Sequence, residues 1–243
     1  MKCKHYFYFD SIIYSIKKSE MIDQNIWNQL RVGTNDNPFA LENSKELYEE
    51  NCMSKMNSAY ADCADYLCML FEKYHICNVI SLGVGKGILE WHLKNKRPQM
   101  QLTATDYTKD SLDILKKVSG ICDDYFLFDF KTGDYSLLKQ YDCLVLYRLS
   151  TELDFEMWKR TFEKMSKNEI KQIVFVPTEL LTFNMMLQER IGHIARIIRR
   201  KKDMFCGWMY SEKEIKNMWS DYYYIEQEKR MFDTKVYYLK IKK

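Results

Sequence analysis

Apolar and polar positions change period along the chain, and the changes mark out its organisation. Residues 1–42 mix turn formers with scattered apolar positions, as in "DQNIWNQLRVGTNDNPFALENS", and read as an extension with short helices. From Asn43 to Tyr74, Leu47, Met53, Met56, Tyr60, Cys63, Ala64, Leu67, Leu70 and Phe71 recur at helical spacing. That predicts one long amphipathic helix or two consecutive ones, with Asn43 and Glu46 as the capping pattern.

From residue 77 the period alternates. Short apolar runs at 77–83, 101–106, 124–130, 141–147 and 170–177 predict strands. Helical spacing fills 87–95, 108–118 and 154–165, the last two behind the N-cap candidates Thr108 and Asp154. Runs that are apolar at consecutive positions belong to strands covered on both faces. Strands alternating with helices belong to a parallel, doubly wound sheet. The rhythm then breaks. Residues 183–204 read as a basic amphipathic helix, and 211–219 as a helix opened by a capping box of Ser211 and Glu214. Two strand-like runs, 221–230 and 234–243, are joined only by "MFD". So short a connection joins antiparallel neighbours, because a parallel crossover needs a dozen or more residues. The fold class is α/β: a doubly wound sheet of seven strands, mostly parallel with a reversed last strand, plus an N-terminal helical extension. Residues 1–74 form that extension, packed as a lid on a core of residues 75–243.

Composition narrows this little. A net charge of +3 on 243 residues does not by itself imply a nucleic-acid partner. Eight cysteines are present, with no C-x-x-C pair and none at zinc-finger spacing from a histidine, so no metal site is expected. They read as reduced thiols, several inside apolar segments such as those of Cys77 and Cys143. No apolar run approaches the ~20 residues of a membrane span. Asp10 interrupts the apolar N-terminus and no small-residue cleavage site follows, so a cytoplasmic protein is expected.

The chemistry concentrates at "SLGVGKG", which holds three of the chain's eight glycines: Gly83, Gly85 and Gly87. They follow a strand and open a helix. In such a unit, glycine permits a tight turn and close approach of backbone to a ligand beyond the strand ends. The next strand ends in Asp106, 23 residues after Gly83, where a carboxylate can accept from ribose hydroxyls. A nucleoside-containing cofactor is expected. Dinucleotide enzymes favour G-x-G-x-x-G, but here the third glycine comes one position early and Ile88 stands in the later place.

The pattern G-x-G-x-G with Asp106 beyond it, and the terminal hairpin, resemble the Rossmann-like class I S-adenosylmethionine-dependent methyltransferase family. The resemblance covers roughly Asn43 to the C-terminus. It implies S-adenosylmethionine (SAM) as cofactor. Gly83, Val84, Gly85 and Gly87 would line its methionine part. Asp106 would bind the ribose, with Tyr107 against the adenine. Asp129 in "LFDF" would receive the adenine amino group, with Phe130 beside it. Tyr147 and Arg148 match the loop that passes the methyl donor, and "IVFVPTELL" the segment that borders the acceptor pocket. The family often carries an acid two residues before the first glycine, where it orients the cofactor's amino-acid end; here that position is Ser81.

Catalytic residues are not legible. Strand four ends in "YRLS" rather than an Asn-Pro-Pro-Tyr type motif. Glu152, Glu179 and His193 are candidates for a base, each with a structural or solvated role as the plainer alternative. Tyr48, Tyr147 and Trp208 are candidates for the acceptor wall. Six basic residues lie between Arg190 and Lys202, with Met186, Ile191, Ile194, Ile197 and Ile198 on the other face. That segment suits an anionic substrate, RNA or a membrane surface, or is simply a solvated face. The expectation is a methyltransferase for a small-molecule acceptor. The alternatives are a non-catalytic methyltransferase-like binding protein, an RNA-directed methyltransferase using residues 190–202, and a nicotinamide-dependent oxidoreductase.

Overall fold

The computed structural model describes residues 6–8, 27, 40–199, 205–232 and 234–242. Strands β1 (Tyr6–Tyr8), β2 (Asn78–Leu82), β3 (Gln101–Asp106), β4 (Asp124–Leu127), β5 (Cys143–Tyr147), β6 (Gln172–Val176), β7 (Phe205–Trp208), β8 (Tyr223–Met231) and β9 (Thr234–Ile241) run in chain order. The helices are α1 (Lys45–Met53), α2 (Ser58–Lys73), α3 (Ile88–Lys96), α4 (Lys109–Val118), α5 (Phe155–Lys167), α6 (Phe183–Ile198) and α7 (Glu212–Trp219). No helix among the described residues is long and apolar enough to cross a membrane.

Seven strands form one sheet in the order β4-β3-β2-β5-β6-β9-β8. The pairs from β4 to β6 are parallel; β9 is antiparallel to both β6 and β8. This is the expected α/β architecture with a reversed last strand. That strand is not at the sheet's edge, however, but between β6 and β8. Burial explains the order. Val236, Tyr237, Tyr238 and Leu239 are consecutive and fully buried, so β9 needs cover on both faces and neighbours on both sides. Along β8, Tyr224, Glu228, Lys229 and Arg230 are exposed, and charged side chains suit an edge that must not pair further.

Alternation along each strand feeds two cores. Ile80, Leu82, Leu144, Leu146 and Phe175 face α5 and α7, packing on Trp158, Phe162 and Trp219. Val79, Val145, Val174 and Tyr238 face α2 and α3, packing on Leu67, Phe71, Leu89 and Leu93. Trp158 is fully buried, edge-on to Phe175 at 5.4 Å between centroids, and its indole N–H donates to the Ser150 carbonyl at 3.0 Å. Burying such a ring stabilises by about 2–3 kcal/mol.

Four local details refine the expectations, and the first selects the second of two alternatives. The helical stretch after residue 43 is two helices linked by a 3-10 turn, and its cap is Ser44, whose hydroxyl accepts from the Leu47 N–H, rather than Asn43. Strand β4 stops at Leu127, because Asp129 folds its carboxylate onto the Lys131 N–H (2.9 Å) and the Thr132 hydroxyl (3.1 Å), turning the chain. Cys77 is exposed just ahead of β2, while Cys52, Cys63, Cys122 and Cys143 are buried free thiols. The expected helix 183–204 ends at Ile198, and "FCGW" forms β7, which pairs antiparallel with β1 (Tyr6 opposite Trp208). The capping box of Ser211 and Glu214 is present.

Candidate functional site

The chain leaves β2 and β3 outward to β4, then returns across the sheet to β5. The strand order therefore reverses beside β2, which opens a crevice at the carboxyl ends of β2 and β5. The glycine loop sits there. Gly83, Gly85 and Gly87 all have positive φ, at 68°, 57° and 68°. A Cβ at Gly83 would lie 2.7 Å from Leu149 Cδ2, and one at Gly87 2.8 Å from Leu115 Cδ1. The left-handed backbone disfavours side chains at these two positions, and a Cβ would also require the leucine ends to shift.

The loop is tied down by its neighbours. The Val84 N–H donates to the Thr105 carbonyl at 2.9 Å, and the Gly87 N–H to the Val84 carbonyl at 2.9 Å. Tyr48, fully buried on α1, donates its phenol to the Gly87 carbonyl at 2.8 Å. Tyr48 was expected as an acceptor-pocket wall; its hydroxyl instead props the loop. Asp106 is 6% exposed. Its Oδ2 accepts from the Gly85 N–H (3.2 Å), and its Oδ1 from both the N–H (3.0 Å) and hydroxyl (2.9 Å) of Thr108. One carboxylate therefore joins the loop to the start of α4. A carboxylate has about four acceptor positions, so these three donors leave one for a further partner.

The other expected cofactor residues lie on the same sheet edge with different surroundings. Tyr107 follows Asp106 and is half-buried. Phe128 continues from β4 through its N–H to the Asp106 carbonyl at 3.0 Å, which brings the next residue, Asp129, to the edge beside Asp106. The Asp129 carboxylate serves its own turn, as above. Phe130 packs into the first core against Phe128 and Trp158, at 5.9 and 5.6 Å. Tyr147 ends β5 against Tyr60, 5.2 Å between ring centroids. Burial pushes its phenol far above the ordinary range, so at neutral pH it stays protonated and can donate but not take a proton. Arg148 has φ 56°, a conformation uncommon for a side-chain-bearing residue, pinned by its N–H to the Val176 carbonyl at 2.7 Å. A cavity of about 20 Å³, the room of a single water, lies among Cys63, Tyr147, Arg148, Val176 and Thr234.

Two loops after β5 and β6 are zipped together at this edge. Thr178 donates its N–H to Ser150 Oγ (2.9 Å) and its hydroxyl to the Arg148 carbonyl (2.8 Å). The Trp208 N–H donates to the Thr151 carbonyl at 2.9 Å, and the Leu181 N–H to the Tyr210 carbonyl at 2.8 Å. Glu152 and Glu179 are carried by these two loops, both half-buried, and Trp208 borders them. The His193 side chain lies outside the described residues.

One residue at the site was not anticipated. Glu90, on the first turn of α3, is fully buried. Its Oε1 accepts from the Ser81 hydroxyl at 2.5 Å. A carboxyl therefore does stand beside residue 81, but it arrives from the helix instead of the strand. Burial raises it to about 7, against the lowering effect of the Ser81 hydroxyl and of its own N–H. Burial raises the pKa of Tyr48 and Cys52 on α1, Cys63 on α2 and Cys122, and the charge of Glu90 raises each of them further.

No family model matches the chain, and no curated protein matches it. Solved structures do. One is magnesium protoporphyrin IX methyltransferase (ChlM) from Synechocystis PCC 6803 with bound SAH, at TM-score 0.61 and 9% identity over 82% of this chain and 96% of that one. Another is the PH0226 protein from Pyrococcus horikoshii OT3, at TM-score 0.59 and 11% identity over 82% and 99%. A third is human N-acetylserotonin methyltransferase in complex with SAM, at TM-score 0.57 and 13% identity over 96% of this chain and 59% of that one. The chain has the class I methyltransferase fold. Identity this low fixes the architecture and not the reaction.

Proposed function

We propose that this chain is a SAM-dependent methyltransferase acting on a small-molecule acceptor. The observation that carries the reading is the joint between the glycine loop and Asp106 at the switch point of a sheet with an internal reversed strand. In that crevice the three left-handed glycines bring backbone to the ligand, and the remaining acceptor position of Asp106 meets a ribose hydroxyl. Asp129 and Phe130 border the adenine from the end of β4, and Tyr147 and Arg148 face the donor end. Residues N-terminal to position 75 and the segment after β6 belong to the acceptor side.

The sulfonium cofactor supplies an activated methyl group. The protein's task is to hold the acceptor in line and keep water out. Tyr147, held protonated by burial, donates a hydrogen bond and orients. Glu152 and Glu179 are the carboxylates placed to take a proton from a hydroxyl or ammonium acceptor. A non-catalytic binding role draws support from the engagement of Asp106 with three internal donors, which leaves a ribose little to bind.

The test is calorimetric titration with SAM, S-adenosylhomocysteine and NAD in parallel. Binding of the first two in the micromolar range is expected. Binding of NAD alone overturns the reading, and silence with all three favours a scaffold without a cofactor.

A further inference from the structure

Helix α6 carries five large apolar side chains into water. Phe183 is 72% exposed, Leu187 48%, Ile191 58%, Ile194 56% and Ile198 76%. At 100° per residue they fall within an arc of about 80°, a single stripe running roughly 22 Å along the helix. Other exposed large apolar residues sit on different elements, such as Met69 on α2, Leu127 on β4 and Tyr224 on β8. Isolated exposure of that kind is ordinary; a stripe is not.

Charge marks the same segment. Between Phe183 and Lys202 there are six basic residues, Arg190, Arg196, Arg199, Arg200, Lys201 and Lys202, against one acid, Glu189, a local charge of +5. The whole chain carries only +3, so the rest of it is net acidic. Arg199 is exposed at the helix end.

We infer that α6 is a docking surface for an anionic lipid bilayer, lying in the interface with its aliphatic stripe among the acyl chains, while the basic residues of the same stretch of sequence supply the attraction to the headgroups. The two properties select this occupant together. A nucleic acid would neutralise the charge but leave four aliphatic side chains in water, and only one aromatic, Phe183, is available to stack on a base. A second copy would cover the stripe but bring one +5 segment against another. An anionic membrane satisfies both, as amphipathic helices with basic residues and a large apolar face do. The helix begins five residues after Thr178, which ties its loop to Arg148 and Ser150 at the carboxyl edge of the sheet. The inference stands on α6 and the basic residues that follow it in the sequence, and does not require the methyltransferase reading.

The test is sedimentation of the full chain with vesicles of phosphatidylcholine, and of phosphatidylcholine with about one-third phosphatidylglycerol. Partitioning onto the anionic vesicles roughly tenfold or more above the neutral ones is expected. Ile191→Ser with Ile194→Ser lowers it about tenfold, and Arg199→Glu with Arg200→Glu abolishes the preference for anionic lipid. Because Ile191 and Ile194 are exposed, the serine variant keeps the thermal midpoint of the wild type. Equal binding to both vesicle types, or to neither, overturns the inference. So does a serine variant that binds vesicles as the wild type does, or one whose midpoint falls by several degrees, since the stripe would then be covered by protein. Tight binding of a single-stranded RNA that the serine variant retains, without vesicle binding, would assign the charge to nucleic acid instead.

Discussion

Glu90→Gln isolates the buried carboxyl behind the glycine loop. In the folded chain Glu90 sits at about 7, against an ordinary 4.5, because burial penalises its charged form. The sign follows from proton binding. Between the two values the native state holds a proton that the unfolded chain has released, so stability falls as pH rises. The contribution is fully present below about pH 4.5 and is lost as pH climbs through about 7. At about 1.4 kcal/mol for each tenfold change in proton affinity, the loss is on the order of 3 kcal/mol. Glutamine mimics the protonated acid: its Oε1 still accepts from Ser81 and it cannot ionise. At about pH 5 the variant and the wild type should therefore agree within about 1 kcal/mol. Near pH 8.5 the variant should be the more stable by about 3 kcal/mol.

Urea unfolding of both proteins across that range reads the difference directly. Other titrating groups, such as Asp123 paired with Lys94 at 2.7 Å, are common to both proteins and cancel. A difference that does not change with pH would mean that Glu90 titrates alike in both states. A difference of opposite sign, with glutamine costing more at high pH, would mean that the pocket stabilises the carboxylate. Either result removes the account of Glu90 given above.

Asp106→Ala strips acceptors from Gly85 and Thr108, and should cost about 1–3 kcal/mol of stability in urea unfolding. In calorimetry it should weaken SAM binding at least tenfold, and unchanged affinity would end its assignment to the ribose. Gly83→Ala combines a positive φ with a Cβ 2.7 Å from Leu149, so a loss of about 1–3 kcal/mol is expected. Adding Leu149→Ala should not rescue the part due to φ, and full rescue would assign the whole effect to packing. Glu169, exposed after α5 with φ 58°, closes the helix through its N–H to the Ser166 carbonyl at 3.0 Å. Glu169→Gly should stabilise by roughly 1 kcal/mol, and a lower thermal midpoint would count against it.

What the sequence revealed and concealed follows from the range of the forces involved. Strands β2, β5, β6 and β9 were legible because burial on both faces demands apolar side chains at consecutive positions, and β9 with "KVYYLKI" shows this most plainly; β8, an exposed edge, was legible through its short connection to β9. The β1–β7 ribbon was not. Three- and four-residue strands some 200 positions apart leave no local period, and the pairing is set by where the larger sheet delivers the two segments. The site divides in the same way. Gly83, Gly85, Gly87 and Asp106 were found because a left-handed turn and a strand-end acid are local requirements. The contact of Tyr48 with the loop, and Glu90 altogether, were not found because their partners, Gly87 and Ser81, are 39 and 9 residues away.

For Glu90 a usable signal did exist. Helix α3 reads "ILEWHLKNK", and Ile88, Leu89, His92 and Leu93 are buried on several sides of it, so a charged residue in its first turn had few ways to reach water. Ser81, standing where an acid is usual, was the other half of that signal. Ser81 and Glu90 form a single arrangement, in which the Ser81 hydroxyl is the donor that holds the buried carboxyl in place. The carboxyl beside residue 81 is carried by α3 and not by β2, and its burial brings its titration to about 7.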